Sequence, residues 1–85
     1  MDEKIGTVTD YFVKIGVAAI RLTDGDLHVG DRVRIVGRTT ELAQMVESLQ
    51  IEHENVERAE RGSQAAIKVR ERVRKKDQVF RVRED

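Results

Sequence analysis

The chain has 85 residues, with 16 basic and 16 acidic side chains, two histidines, no cysteine and no proline. A chain of this length builds one small core, so we expect a single domain over 1–85 with its core at about 5–82. Without cysteine there is neither a disulfide framework nor a thiolate metal site. No segment reaches the roughly 20 apolar residues of a membrane span.

The N-terminus, Met1-Asp2-Glu3-Lys4, does not resemble a signal peptide, so we expect the protein in the cytoplasm. Dense charge of both signs in a cysteine-free domain is also typical of heat-adapted proteins.

Short segments of alternating apolar and polar residues begin near the N-terminus. Segment 5–12 is rich in β-branched residues and predicts a first strand, and 16–22 predicts a second with Ala18 and Ile20 on one face. After the second strand comes Thr23-Asp24-Gly25-Asp26, a strong turn signal.

A tight turn then joins two further strands, 27–29 and 32–36. Gly30 permits a positive φ, and the Asp31 carboxylate can accept hydrogen bonds from backbone amides. Gly37 follows the second strand, in which Val33 and Ile35 share one face. We therefore predict Gly30, Asp31 and Gly37 as structural turn residues.

Segment 42–53 fits both a helical and a strand period. Because turn signals elsewhere recur every 8–12 residues, we predict a strand with a bulge near Ser48 and Leu49. Residues 55–60 predict one helical turn capped by Asn55. Strands follow at 65–70 and at 78–83, the latter with Phe80 and Val82 opposite its arginines.

These elements predict an all-β fold, a small closed antiparallel β-barrel of six or seven strands with a Greek-key-like order. Closure removes the two unpaired edges that an open sheet would expose. The residues expected to point inward alternate along the strands; they are Val8, Ala18, Ile20, Val33, Ile35, Val46, Ile67 and Val69.

The order of these motifs resembles the β-barrel second domain of the translational GTPases, of the elongation factor Tu domain 2 type. The matching runs are Gly6-Thr7-Val8, Gly16-Val17-Ala18, Val29-Gly30-Asp31 with its strand, Val46-x-Ser48-Leu49-Gln50-Ile51 and Val56-x-x-Ala59-x-x-Gly62. Ser63 and Ala66 depart from the family pattern. The resemblance implies a stand-alone translation-protein barrel that contacts ribosomal RNA or tRNA, or packs against another domain.

Nothing in the sequence predicts catalysis. The phosphate loop G-x-x-x-x-G-K-[ST] is absent, so we expect no GTP binding. His28 and His53 lie far apart and have no cysteine to complete a metal site. Asp24, Asp26 and Asp31 lack the spacing of a calcium loop. We predict no enzyme activity, no metal and no cofactor.

The strongest functional signal is basic. Residues 65–85 carry eight basic and four acidic side chains. A strand period would place part of them on one face, where they suit a phosphate backbone. The predicted nucleic-acid-binding residues are Lys68, Arg70, Arg72, Arg74, Lys75, Lys76 and Arg81.

The predicted function is therefore a non-catalytic, translation-related module that binds RNA or a ribonucleoprotein through this C-terminal basic face. The alternative is a protein-interaction or oligomerisation barrel with no nucleic-acid role. Its apolar patch for a protein partner or a second copy would be formed by residues of outward or ambiguous phase, namely Val29, Val36, Ala66 and Val79.

Overall fold

The computed structural model describes residues 2–83 and contains only strands, turns and loops in that range. The ten strands are β1 Asp2–Phe12, β2 Val17–Leu22, β3 Leu27–His28, β4 Arg32–Val36, β5 Glu41–Met45, β6 Leu49–Ile51, β7 Glu54–Asn55, β8 Arg58–Ala59, β9 Gln64–Lys68 and β10 Gln78–Val82. The predicted all-β class is confirmed. Residues 2–83 include no helix of the length and apolarity that a bilayer span requires.

Eight strands form one antiparallel sheet in the order β5-β4-β10-β1-β2-β9-β6-β7, and β3 pairs with β8 in a separate ribbon. Pairing does not continue from β7 back to β5, so the prediction of a closed barrel is wrong. A side chain bridges part of the gap instead. Gln44 on β5 donates from Nε2 to the Lys68 carbonyl (2.8 Å) and accepts at Oε1 from the Arg70 N–H (2.8 Å).

One apolar core lies inside the curled sheet, and all eight residues predicted to point inward belong to it. The alternation of β2, β4 and β9 explains this agreement, since each strand has one apolar and one polar face. The last strand behaves differently. Val79 is fully buried and Arg81 turns towards the same side, whereas Phe80 and Val82 are only partly buried.

Residues 42–60, predicted as one long strand followed by a helical turn, form four short strands instead. The predicted irregularity appears as a gap between β5 and β6, where Val46 donates its N–H to the Asp31 carbonyl (2.8 Å). Glu52 and His53 have positive φ values of 51° and 67° and connect β6 to β7. The predicted helical turn at 55–60 is wrong, because β7 and β8 occupy that segment.

Two of the predicted turn glycines act in different ways. Gly30 has a φ of 96°, and the adjacent Asp31 carboxylate accepts the His28 N–H at 2.9 Å. Gly37 is needed for space instead, because a Cβ there would run into the Asp77 carboxylate. Asp77 is 5% exposed and accepts the Arg74 N–H at 2.8 Å, so this carboxylate holds the turn before β10.

We expect the Gly37→Ala substitution to lower the free energy of unfolding by about 2 kcal/mol, because the added methyl displaces the Asp77 carboxylate from its hydrogen bond. Urea denaturation measures the change. The same substitution should cost clearly less in an Asp77→Ala background, where the carboxylate is absent. Equal penalties in the two backgrounds would contradict this explanation.

A candidate docking surface at one end of the sheet

The turn between β1 and β2, which we call the hairpin tip (residues 12–16), exposes a group of apolar side chains. The exposed fractions are 46% for Phe12, 66% for Val13 and 60% for Ile15. The Gly16 N–H closes the turn on the Phe12 carbonyl at 2.9 Å. Exposed apolar side chains gathered at one point are typical of an interaction site.

The chain after β9, which we call the basic loop (residues 69–77), is fixed against this hairpin. Val69 donates its N–H to the Gly16 carbonyl (2.9 Å), and Lys76 donates its N–H to the Val8 carbonyl (2.8 Å). Val73 is 1% exposed and anchors the middle of the loop in the core. The basic loop therefore holds its charged side chains in a defined place beside the hairpin tip.

Most cations around the hairpin tip form no ion pair, although the basic loop also contains Glu71 and Asp77. Six of the cations have no ion-pair partner among residues 2–83: Lys14, Lys68, Arg72, Arg74, Lys75 and Lys76. Arg70 is paired, with Nη2 lying 3.0 Å from Glu47 Oε1, but both side chains are largely exposed. This end of the molecule is thus positively charged in a protein whose formal net charge is zero.

Two hollows flank the hairpin tip. One, of about 220 Å³, lies between the end of β1 and the basic loop and is lined by Asp10, Tyr11, Val13, Arg72, Val73, Arg74 and Lys75. The other, of about 280 Å³, is lined by Ile15, Val17, Ser48, Gln50, Ala66, Ile67 and Lys68. The hairpin tip, which we also call the apolar ridge, thus contributes an exposed apolar side chain to each of two hollows that both contain cations.

Six of the seven predicted basic residues lie at or beside the basic loop, but Arg81 does not. Because β1 and β2 lie between β10 and β9, the last strand is not a neighbour of β9 as the predicted face required. The stretch 69–77 is also a loop and not a continuation of β9. Among the residues of the predicted apolar patch, Val79 is fully buried and Val29 is 43% exposed.

Arg81 belongs to a separate ion-pair cluster near the chain ends. Its side chain is 13% exposed; Nη1 lies 2.8 Å from Asp26 Oδ1 and Nη2 lies 2.6 Å from Glu3 Oε1. His28 Nε2 is 3.0 Å from Asp26 Oδ2, and Arg83 Nη2 is 3.2 Å from Glu3 Oε1. We call these five residues the Arg81 cluster; it ties β1, β3 and β10 together.

The hydrogen bonds of the Arg81 cluster favour the ionised form of its two carboxylates. The hydrogen bond from Arg81, followed by that from His28, holds the pKa of Asp26 well below its usual range. The hydrogen bond from Arg81 also lowers the pKa of Glu3, and the Asp26 hydrogen bond raises the pKa of Arg81. A carboxylate that stays ionised in this way cannot serve as a general acid near neutral pH.

The hollow beside the Arg81 cluster offers little for catalysis. It is lined by Asp26, His28, Asp31, Arg81, Val82 and Arg83, which include no nucleophilic hydroxyl or thiol. Between residues 2 and 83, no three histidine or acidic side chains group to hold a metal ion. We interpret the Arg81 cluster as a structural fastening and the hairpin tip with its basic loop as the candidate functional surface.

Comparison with known proteins places these features in context. No protein-family model matches the chain. It is 38% identical over 78 residues to the protein named Collagenase of Porphyromonas gingivalis, a match that covers 91% of this chain and 22% of that protein. It is 38% identical over 82 residues to the uncharacterized protease MJ0090 of Methanocaldococcus jannaschii, covering 95% of this chain and 20% of that protein. The chain thus spans about a fifth of the length of these relatives.

The fold is that of a domain solved on its own. The C-terminal domain of a putative U32 peptidase of Geobacillus thermoleovorans matches with a TM-score of 0.87 at 19% identity, covering 95% of this chain and 93% of that one. A selenomethionine variant of the same domain matches with a TM-score of 0.84 at 20% identity, covering 91% and 96%. At these identities the likeness concerns the fold.

The predicted resemblance to the elongation factor Tu domain is wrong, since the relatives are named as proteases and the structural neighbour comes from a peptidase. The predictions that depended on it, namely the translation context, the RNA-binding function and the ribosomal RNA or tRNA partners, are therefore wrong as well. The motif that suggested them, Val29-Gly30-Asp31 before an alternating strand, is what any tight turn into a half-buried strand requires. This motif therefore indicates a turn conformation and is not evidence of membership in a family.

Proposed function

We propose that this chain is a non-catalytic accessory domain of a U32-type peptidase, which presents a polypeptide-binding surface beside a separate catalytic region. The observation that carries the proposal is the 38% identity that extends over nine-tenths of this chain but only about a fifth of a protein named as a collagenase. A segment that makes up about a fifth of a longer protein has the size of an accessory domain. The fold of a peptidase C-terminal domain agrees with this reading.

The chemistry of the described side chains supports a role without catalysis. His28 and Asp26 are in contact at 3.0 Å and could be two of the three members of a hydrolytic triad, but Asp26 is also bound by Arg81. The third member, a nucleophile within reach of the histidine, is absent from the lining of this hollow. The pair is better explained by its contribution to the Arg81 cluster.

The geometry also supports a docking role for the hairpin tip. Asp2 and Val82 are paired at one end of β1, and the hairpin tip lies at the other. At roughly 3.3 Å for each residue, the two ends of this strand are about 30 Å apart. Sequence flanking residues 2–83 would therefore leave from the side remote from the hairpin tip, and the tip would stay accessible.

We expect the purified chain to release no peptides from fluorescein-labelled casein or gelatin above the background of a heat-treated sample. The reason is the missing nucleophile beside the His28–Asp26 pair. A His28→Asn variant is the control, because it removes the imidazole that contacts the Asp26 carboxylate. Hydrolysis that co-elutes with the wild-type chain and disappears in His28→Asn would overturn the proposal.

A further inference from the structure

We infer that the hairpin tip and the basic loop bind an extended segment of unfolded polypeptide that is rich in both acidic and apolar residues. This inference rests on the proposed function and names the class of substrate that the accessory domain recognises. The segment lies across the apolar ridge, places apolar side chains in the two hollows and directs its carboxylates to the surrounding cations.

The size of the hollows favours single side chains. Their volumes of about 220 and 280 Å³ lie below the roughly 300–1,000 Å³ of typical small-molecule sites. Val13 lines the first hollow and Ile15 lines the second, and both side chains are exposed. A chain that crosses the ridge can reach both hollows at once, because the side chains of an extended segment are spaced along its length.

An open strand edge offers the backbone of such a segment a partner. Strand β10 pairs with β1 only from Asp2 to Thr7, and the basic loop takes over at Val8. From Thr9 to Phe12 the described part of β1 has a strand partner only on its β2 side. The free side borders the first hollow, where Asp10 and Tyr11 are lining residues, and the Tyr11 N–H on this stretch is already donated to Asp10 Oδ1 at 2.9 Å. A bound segment would pair with main-chain groups of this edge other than the Tyr11 N–H, in the manner of strand addition to an exposed sheet edge.

Charge decides the kind of segment. The first hollow is lined by three cations, Arg72, Arg74 and Lys75, and by one carboxylate, Asp10. Three positive charges against one negative charge leave this lining with a net positive charge. Lys68 adds a further cation to the second hollow. Carboxylates on the bound segment would complement this potential, whereas a basic segment would be repelled.

The test is fluorescence anisotropy with short labelled peptides. The main probe alternates glutamate with leucine and phenylalanine; one comparison peptide replaces each glutamate by lysine, and another replaces each leucine and phenylalanine by serine. We expect saturable binding of the main probe alone, with an affinity that falls as ionic strength rises. Absence of binding up to about 1 mM, or equal binding of either comparison peptide, would overturn the inference.

Matched variants locate the site. Val13→Ser with Ile15→Ser, and separately Arg72→Gln with Lys75→Gln, should each weaken binding by about tenfold or more. The control pairs exposed residues outside this surface, Val29→Ser with Arg61→Gln, and should change affinity less than about twofold. All substituted side chains are exposed, so urea denaturation should show similar stabilities. A control variant that weakens binding as much as the others would contradict the assignment.

Two further readouts separate the outcomes. Mass spectrometry of the probe after incubation reports cleavage, which would defeat the proposed function but leave the binding result standing. Light scattering of the chain alone reports self-association; a dimer broken by the Val13→Ser and Ile15→Ser substitutions would assign the hairpin tip to a second copy and overturn the inference.

Discussion

Replacing Arg81 with methionine is expected to lower the free energy of unfolding by about 3 kcal/mol, which would make it one of the most damaging single changes outside the apolar core. The guanidinium is largely buried and binds the carboxylates of Glu3 and Asp26. Methionine retains the apolar stem but leaves Asp26 without its main partner. Arg83→Met is the control, since that side chain is 60% exposed and should cost less than about 1 kcal/mol.

The Arg81 substitution should also change how stability depends on pH. The pKa of Asp26 is lower in the folded chain than in the unfolded chain, so its ion pairs stabilise the fold above about pH 4. That contribution is lost as the pH falls below this value towards the folded pKa. Urea denaturation between neutral and acidic pH should show a steeper loss in the wild type than in Arg81→Met. Parallel pH profiles would contradict the assignment.

The buried position of Arg81 also predicts a non-additive result. Its Nε is buried without a hydrogen-bond partner among the described residues. Burial of this charged group is therefore only partly compensated by its hydrogen bonds. A double variant, Arg81→Met with Asp26→Ala, removes both charges together. It should therefore lose less stability than the sum of the two single variants.

Replacing Gln44 with leucine is expected to cost a similar amount, about 3 kcal/mol, because two backbone groups lose their partner at once. Gln44 is 5% exposed, and its amide substitutes for a strand by joining the Lys68 carbonyl and the Arg70 N–H. Leucine is close in volume, so the loss measures the hydrogen bonds and not a cavity. Urea denaturation gives the value.

Two variants sharpen the Gln44 test. Gln50→Leu removes a hydrogen bond between exposed side chains and should cost less than about 0.5 kcal/mol. Gln44→Glu can accept from Arg70 but can donate to Lys68 only when protonated, so its deficit relative to the wild type should shrink at acidic pH. A Gln44→Leu variant as stable as the wild type would show that the bridge is not needed.

The strands with one apolar face were predictable because their pattern is local. Val33 with Ile35, and Ile67 with Val69, alternate with charged residues and leave only one phase that buries them. In β10 one phase contains Phe80 and Val82 and the other contains Val79 and Arg81, so the local pattern favours burial of Phe80 and Val82, whereas the structure buries Val79. The choice is made by Glu3 and Asp26, which lie 78 and 55 residues before Arg81 in sequence and neutralise it only in the folded chain.

The functional surface was predictable only in part. Exposure of the basic residues followed from their charge, but their grouping depended on which strands are neighbours. The hairpin tip was missed, although it carries a signal: three apolar residues, Phe12, Val13 and Ile15, stand where a turn usually has glycine, asparagine or aspartate. The Glu52–His53 turn gave a weaker signal, since neither residue is a glycine, asparagine or aspartate of the kind that usually marks a hairpin turn with positive φ angles.

The pairing of β1 with β10 has a mechanical consequence. Asp2 lies opposite Val82 and Glu3 opposite Arg81, so the two ends of the described chain leave side by side from adjacent antiparallel strands. Tension applied through both ends would pull these strands apart like a zipper, one backbone pair at a time, instead of shearing all pairs together. The backbone pairs that bear the force first lie next to the ion pairs of Glu3 with Arg81 and Arg83. Under tension these ion pairs would therefore break first and control the separation of β1 from β10.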